Sequence, residues 1–456
     1  MGSLTSSLWI AAQALDVNQG ALDATTNNIA NANTPGYSRE VVDLSEQTPV
    51  EIGNITYGTG VSLDKIQSVR DQVLSLQIAE QTSQQSGAQT QVNALQQVQS
   101  LFSSPTQGIG ENLSAFFNSI SQLSTNPTDQ AQRSSVMTAA QNLATSFNQT
   151  AQSLETIQSN LNQSVSQTVD QINALTKQIA QVNAQVGQMQ QLGKDPGGLL
   201  DQENQLISQL SQLTNISETQ TQQGLTITTG NGAALVVGNQ SFDLEVANGP
   251  TGQQDVFSQG QDITSSITGG SLGGTIQVRD QDIPSVLNQL NTLASQFADA
   301  FNAAQATGFD LNGNPGQALF SYNSAGAAAS LSLTTTDPNA IAASSDGSPG
   351  SNGNIANLMA VETQALPSGE DPTDTYANLV AQAGNMSSQA QADVSSSTAS
   401  LNQLNDQLGA LSGVSINEET ANLLNYQNAF SAAARVVNTI NQLTETVLTM
   451  GTAAAS

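Results

Sequence analysis

Few stretches of this sequence carry residue types that could do chemistry. Gly269-Gly270-Ser271-Leu272-Gly273 has the G-x-S-x-G spacing that lifts a nucleophilic serine on a strained turn. Such a serine needs a base, and the chain of 456 residues holds no His and no Cys. The stretch is therefore read as a glycine-rich turn. Gly187 to Gly193-Lys194 approaches a phosphate-cradling loop, but its glycines are one residue too far apart and Asp195 replaces the metal-binding Ser or Thr. With Pro196 it reads as a helix stop. Asp310-Leu311-Asn312-Gly313-Asn314 opens like a calcium loop, with oxygens at alternate positions. Pro315 and Ser321 occupy the places that need Gly and Glu, so a polar turn is expected. Glu418 and Glu419 could pair as acid and base. Ser415-Ile416-Asn417-Glu418 has capping-box spacing, however, with Ser415 as N-cap and Glu418 reaching back, and carboxylates suit a helix N-terminus. The sequence predicts no enzyme, no catalytic residue, no cofactor and no metal.

Composition narrows the field further. Eight Lys and Arg against 36 Asp and Glu leave a net charge of −28, and only 10% of residues are charged, where about 25% is usual. The cations Arg39, Lys65, Arg70, Arg133, Lys177, Lys194, Arg279 and Arg435 are scattered. Nucleic-acid binding needs them clustered, so no nucleic-acid partner is expected. No apolar run approaches the ~20 residues of a membrane span, so no membrane partner is expected either. The first cation is Arg39, and the opening lacks the basic and apolar regions of a cleaved secretory signal. Either a cytoplasmic protein or one exported without a cleaved signal fits.

The elements follow from periodicity. Leu4, Leu8, Ala11, Leu15, Asn18, Leu22, Thr25 and Ile29 step by four and three, the spacing of a coiled-coil seam with polar interruptions. Leu423, Tyr426, Phe430, Ala433, Val437, Ile440, Thr444 and Val447 answer it at the other end. These narrow seams either pair with each other inside one chain or are shared between subunits; spacing leaves both open. A third seam holds without a break from Phe147 to Met189, predicting a helix of roughly 64 Å. Gly193 to Gly198 ends it, and Leu199 to Leu213 returns. Further helical patterns cover about 64–102, 111–123, 284–305 and 373–411. Between Gly224 and Val278 the period shortens to two: Leu225–Thr229, Ala234–Val237, Phe242–Val246 and Gly274–Val278 read as strands, with Gly230-Asn231-Gly232 as a turn. Residues 306–370 are rich in Gly, Ser, Asn, Asp and Pro and read as irregular, without a large core.

Asn27-Asn28-Ile29-Ala30-Asn31-Ala32-Asn33-Thr34-Pro35-Gly36-Tyr37-Ser38-Arg39 closely resembles the N-terminal motif of bacterial flagellar rod, hook and hook-associated proteins. Gly413 to Leu424, including Glu418-Glu419, is similar to the C-terminal motif of that family, as are Tyr426 to Phe430 and Ala434-Arg435-Val436. The middle is most similar to the members at the hook–filament junction: Pro196 to Gln202, Gly224 to Gly238, Gly273 to Ala294 around Arg279-Asp280, and Thr307 to Gly313 with Leu319-Phe320. Glu203-Asn204 departs from the Arg-Asp usual after Leu199-Leu200-Asp201-Gln202, so the ion pair that Arg would make is not expected. Another axial member, such as hook-associated protein 3 or a rod component, is the alternative.

The resemblance implies a structural, secreted protein of the extracellular flagellum, serving motility. It would be exported by the type III apparatus, held before export by a chaperone on its C-terminal helix, and assembled with itself as a homo-oligomeric ring between the hook protein and hook-associated protein 3. Asn28, Asn31, Pro35, Gly36, Tyr37, Arg39, Glu418 and Glu419 are its motif residues. Leu8, Leu15, Leu22, Ile29, Leu423, Tyr426, Phe430, Val437, Ile440 and Val447 are the candidates for subunit packing. The expected fold is mainly α: long antiparallel helical rods, terminal coiled-coil helices from both chain ends, and a small inserted β unit. Its expected parts are a terminal coiled-coil domain (1–35 and 415–456), an extended connector (36–63), a helical rod domain (64–215, 284–305 and 371–412), the β unit (216–283), and an irregular 306–370 with a reduced or absent outer domain.

Overall fold

The computed structural model describes residues 2–52, 55–102, 108–221 and 224–453. The parts of the expected domains at residues 1, 53–54, 103–107, 222–223 and 454–456 lie outside the described residues. Helix α1 (Gly2–Asn31) leads into two β-hairpins, in which β1 (Glu40–Glu46) pairs with β4 (Val61–Ser68) around β2 (Val50–Ile52) and β3 (Ile55–Tyr57). Helices α2 (Gln72–Phe102), α3 (Ile109–Leu123), α4 (Gln130–Gln191) and α5 (Gly197–Leu213) follow. The β unit has two antiparallel sheets: β5 (Ile216–Thr221), β6 (Gly224–Thr229), β7 (Ala234–Val237) and β8 (Gln240–Ser241), then β9 (Leu244–Asn248), β10 (Gln254–Ser258) and β11 (Gln261–Asp262). Helix α6 (Gly270–Gln277) passes through a π-helical turn, Val278–Asp282, into α7 (Ile283–Ala306). Then come β12 (Phe320–Ser321), α8 (Ala327–Ser330), β13 (Ser332–Leu333), α9 (Ile355–Ala360), α10 (Pro372–Ser412) and α11 (Ile416–Ala453).

The spine is α4, 62 residues long, or about 93 Å at an α-helical rise. It starts well before the seam expected from Phe147. Asp129 caps it, accepting from the amides of Ala131 (2.7 Å) and Gln132 (3.2 Å), and satisfies donors left free by the first turn. Arg133, Val136, Met137, Ala140, Leu143 and Ala144 extend the buried face back to that cap. Two cores lie along this helix. The first joins α2, α3, the early part of α4, α7 and α10 around a cluster in which Phe116 lies 5.0 Å from Phe301 and 5.8 Å from Phe320. The second joins late α4, α5, α6 and the β unit around Ile172, Ile179, Leu210, Ile227 and Val236. Helices α2 and α10 run antiparallel, with Phe102 and Tyr376 in ring contact at 6.4 Å at one end and Ser75 and Ser412 bordering one cavity at the other.

Several expectations need correction. Gly274–Val278 is helical, because Leu272 through Ile276 are buried without the alternation a half-exposed strand would show. The G-x-S-x-G stretch opens that helix instead of making a free turn; a Cβ on Gly274 would collide with the Gly87 carbonyl oxygen of α2. Residues 64–68 belong to the hairpin, and the rod helix begins at Gln72. Residues 306–370 are largely irregular, but the expectation that they hold no large core does not stand. They bury Leu319, Phe320, Leu331, Ile341 and Leu358 in the first core. Fully buried Arg133 staples this segment to α4, donating from Nε to Pro127 O (2.6 Å) and from Nη1 to Ile341 O (2.9 Å). Burial lowers its pKa, opposed by Asp310 and Asp337.

The close α2–α6 crossing makes a direct prediction. Gly274→Val should lower the melting temperature, as overpacking a closed contact costs about 1–3 kcal/mol. Gly187→Ala in α4, where a Cβ would meet nothing within 4 Å, should be neutral or slightly stabilising. Thermal unfolding of the two variants measures the contrast; equal melting would show that the crossing tolerates bulk.

Candidate functional site

The chain's two ends meet. Helix α1 packs along α11 in the opposite direction, with Asn28 near the end of one facing Glu419 in the first turn of the other. Asn28 is 1% exposed and all its hydrogen-bonding capacity is used. Its Nδ2 donates to Glu40 O (2.9 Å) and to Glu419 Oε2 (3.2 Å). Its Oδ1 accepts from Glu40 N and from the Tyr37 hydroxyl, both at 2.8 Å. One amide side chain thus substitutes for a strand partner of β1 and ties it to both terminal helices. Burial, reinforced by Glu40, Asp201 and Glu419, raises the Tyr37 pKa, so the phenol stays a donor.

Around this hub the other motif residues have local duties. Asn31 ends α1, donating back to Asn27 O (3.0 Å) and accepting from Thr34 Oγ1 (3.2 Å). After Pro35, Gly36 takes φ +80°, a left-handed conformation that favours glycine. Arg39 donates its amide to Ser412 O (3.0 Å), and its guanidinium lies 3.7 Å from the Glu418 carboxylate. The expected capping box is only half present: Ser415 Oγ accepts from Glu418 N at 3.5 Å, while the Glu418 carboxylate lies toward Arg39.

A second set of contacts, unforeseen as a site, fastens the ends to the rod. Asp201 of α5 accepts from Ser38 N (3.1 Å) and Ser38 Oγ (2.8 Å), and pairs with Arg70 at 2.7 Å. Arg70 also donates to Gly197 O at 2.5 Å. Beside this joint lies a cavity of about 470 Å³, bordered by Tyr37, Arg70, Ile78, Ile207, Glu218 and Leu408. Ser38 and Asp201 stood within motifs carried by the resemblance, yet nothing in their spacing links positions so far apart in the chain.

The packing candidates are placed unevenly. Leu8, Leu15, Leu22 and Ile29 are half-buried, as are Leu423, Tyr426, Phe430 and Val437; Ile440 is buried and Val447 exposed. With Asn28 beside Glu419 and equal rise along both helices, the partner of Val447 would precede the start of α1. Apart from Asn28, the most buried side chains of α1 are instead small ones, Val17, Ala21, Ala24 and Thr25. The face carrying Gly20 meets the β1–β4 hairpin, where a Cβ on Gly20 would lie 3.0 Å from the Leu63 side chain. Other apolar groups stay open: Trp9 on α1, and Leu424, Val436, Leu443, Leu448 and Met450 on α11.

The remaining chemical candidates dissolve. Asp310 accepts from the amides of Asn312 and Asn314, both at 2.8 Å, and closes its own turn; desolvation pushes its carboxyl up, but the hydrogen bonds from Asn314 and Asn312 together hold it below the usual range. Among the described residues no cluster of carboxylates could hold a metal, and no helix is long and apolar enough to cross a membrane.

Removing the hub should free the ends. Asn28→Ala leaves the Glu40 backbone groups, the Tyr37 hydroxyl and Glu419 without their partner, at about 1–3 kcal/mol for each buried group left unsatisfied. Limited proteolysis with a broad-specificity protease should then cut within 2–31 and 416–453 sooner than in the parent chain and leave the rod intact. An unchanged time course would contradict the assigned role of Asn28.

Comparison with known proteins adds to this geometry. The profile of the flagellar hook-associated protein FlgK helical domain matches residues 95–320. The flagella basal body rod protein profile matches 8–37, and the flagellar basal body rod FlgEFG C-terminal profile matches 408–450. Flagellar hook-associated protein 1 of Bacillus subtilis is 29% identical over 98% of both chains. Its namesake in Salmonella typhimurium is 32% identical over 69% of this chain and 59% of its own. The flagellar hook junction protein FlgK from Burkholderia pseudomallei has the same fold, with a TM-score of 0.68 over 74% of this chain and all of its own at 20% identity. The terminal profiles cover most of the two paired helices and the helical-domain profile covers much of the rod between them, so the chain belongs to the flagellar hook-associated protein 1 family, a family of structural flagellar proteins and not of enzymes.

Proposed function

We propose that this chain forms the junction between hook and filament, as a ring of identical subunits assembled outside the cell after type III export. The observation that carries this reading is the unfinished apolar surface of the terminal pair. Trp9 is 53% exposed, Leu424 55%, Val436 48% and Leu443 48%, on helices whose own seam is only half covered. Covering a Val or Leu side chain contributes roughly 1.5–3 kcal/mol, so neighbouring copies would gain considerably by packing α1 and α11 side by side. The hook protein on one side and hook-associated protein 3 on the other would be the partners at the ring's two edges. An export chaperone would cover α11 beforehand, since an apolar helix left open is an aggregation hazard. The names of the relatives support the junction, and the hydroxyl- and amide-rich, weakly charged rod suits a protein whose work is contact and not catalysis.

Phe430→Asp tests this. Phe430 is half-buried on the α11 seam, and a carboxylate there would have to be desolvated when neighbours close over it. The expected phenotype is hooks without filaments and filament protein shed into the medium, while purified variant melts like the parent. Secretion of the variant is measured in parallel, because the same helix is the proposed chaperone site. Normal filaments from a secreted Phe430→Asp chain would show that the terminal seam is not an assembly surface.

A further inference from the structure

The joint between the terminal pair and the rod holds more carboxyl groups than its one cation can balance. Glu203, on α5, is 6% exposed, and its Oε1 has no hydrogen-bond partner. It points among the side of α5 that buries Leu206, Ile207 and Leu210. Glu218, on β5, faces it from the neighbouring strand and borders the joint cavity. The nearby cation is Arg70, and it is already engaged by Asp201 Oδ1 and Gly197 O. Its Nε is buried without a partner and does not reach either glutamate. Of the other elements around the joint, residues 35–38 bring Tyr37, and residues 69–71 bring Asp71 beside Arg70. Helices α2 and α10 border the cavity with uncharged residues, and α6 carries no charge. On the part of α4 leading to the turn before α5, Lys177 pairs with Asp243 of the β unit.

A buried carboxylate without donors is costly, and such a group neutralises instead. We propose that the joint is a proton-sensitive latch: Glu203, buried, and Glu218, half-buried beside the cavity, are held as neutral carboxylic acids, and their ionisation loosens α5 from residues 35–38 and 69–71. The cavity beside Glu218 gives water a route to the site. Because α5 carries Asp201, the residue that holds Ser38, a change in how α5 seats is transmitted to the hub at Asn28. The device would let the angle or stiffness between terminal pair and rod follow the pH of the medium. It does not depend on what the terminal surface binds.

The direction is set by linkage. Burial, with Glu218 adding and Arg70 opposing, pushes Glu203 up to about 7; burial alone pushes Glu218 to about 7, from an ordinary 4.5 for each. A carboxyl raised in the folded state contributes its stability at low pH and loses it as pH rises from the unfolded value through the folded one. Between pH 6 and 8 each group should increase the opening equilibrium of the joint by about tenfold.

Amide hydrogen exchange on the full chain, corrected for intrinsic rates, reads this directly. From pH 6 to 8, amides in 197–210 and 69–79 should lose protection by one to two decades, while 109–123 in the first core stays level. In the double variant Glu203→Gln, Glu218→Gln, neutral at every pH, that loss should vanish; in Glu218→Gln alone it should fall by about tenfold. A joint in the parent chain that is equally protected at both pH values overturns the latch. So does the parent's full pH dependence persisting in either variant. Should the double variant fail to fold, the parent and the single variant decide the matter on the same readings.

Discussion

A single buried amide organises the ends of this chain. Asn28 sits where α1 is about to stop, and its donors and acceptor reach the backbone of β1, the phenol of Tyr37 and the carboxylate of Glu419 from the far end of the sequence. An asparagine is suited to this because it offers both donor and acceptor in one plane, where aspartate would set a charge beside Glu419 and alanine would leave every partner unpaired. The narrow terminal seam supplies too little burial to fix the pair by packing alone. The amide settles where the two helices meet and in what register. Everything beyond it along α1 and α11 inherits that register, with Val447, Leu448 and Met450 exposed toward the end of α11.

The rod follows a different logic. Its cores are ordinary apolar packing along α4, and its buried cations act as staples between distant segments. Arg133 binds carbonyls of the 338–341 stretch, and Arg279 clamps the π-helical turn by pairing with Asp280 (2.7 and 2.8 Å) while donating to Asn162 (3.0 Å) and Gln254 O (2.6 Å). The latter node lies on α4 between the two cores, so the β unit is tied to the spine by polar contacts where the apolar ones give out. In a chain with eight cations, placing Arg133 and Arg279 at such seams uses them where several carbonyl or carboxylate oxygens converge. The joint at Asp201 repeats the pattern with Arg70, but there the carboxylates outnumber the cation.

Much of this was readable from periodicity. The heptad run after Phe147, the stop at Gly193 and the Ser415 start of the C-terminal helix are local signals; α4 runs through the first and ends just before the second, and α11 begins after the third with half of its capping box formed. Gly193 takes φ +68°, as a helix-ending glycine can and other residues do so only with strain. Gly274–Val278 misled because a short stretch buried on all sides has no period, and glycines that permit a close helix crossing look like turn residues. Residues 306–370 misled for the opposite reason: their composition marks irregular backbone correctly but says nothing about whether scattered Leu, Ile and Phe reach a common core. Asn28 stood out only through resemblance to a family. Its physical role rests on Glu40 and Glu419, whose approach is a product of tertiary structure, and the Ser38–Asp201 contact was invisible for the same reason.

The ends are latched at Asn28, and under the proposed function neighbouring copies would cover the rest of the terminal pair. The absence of cysteine makes paired spin labels straightforward to place. Labels at exposed Ala30 and Thr420 bracket the hub, and labels at exposed Ser6 and Asn441 sit at the far end in the same register. In the free, monomeric chain, double electron–electron resonance should give one short, narrow distance for the first pair and a broad distribution for the second. A first pair as broad as the second, or a second pair as narrow as the first, would contradict the account: the former leaves the ends unlatched, the latter makes the terminal pair a finished core that needs no neighbour.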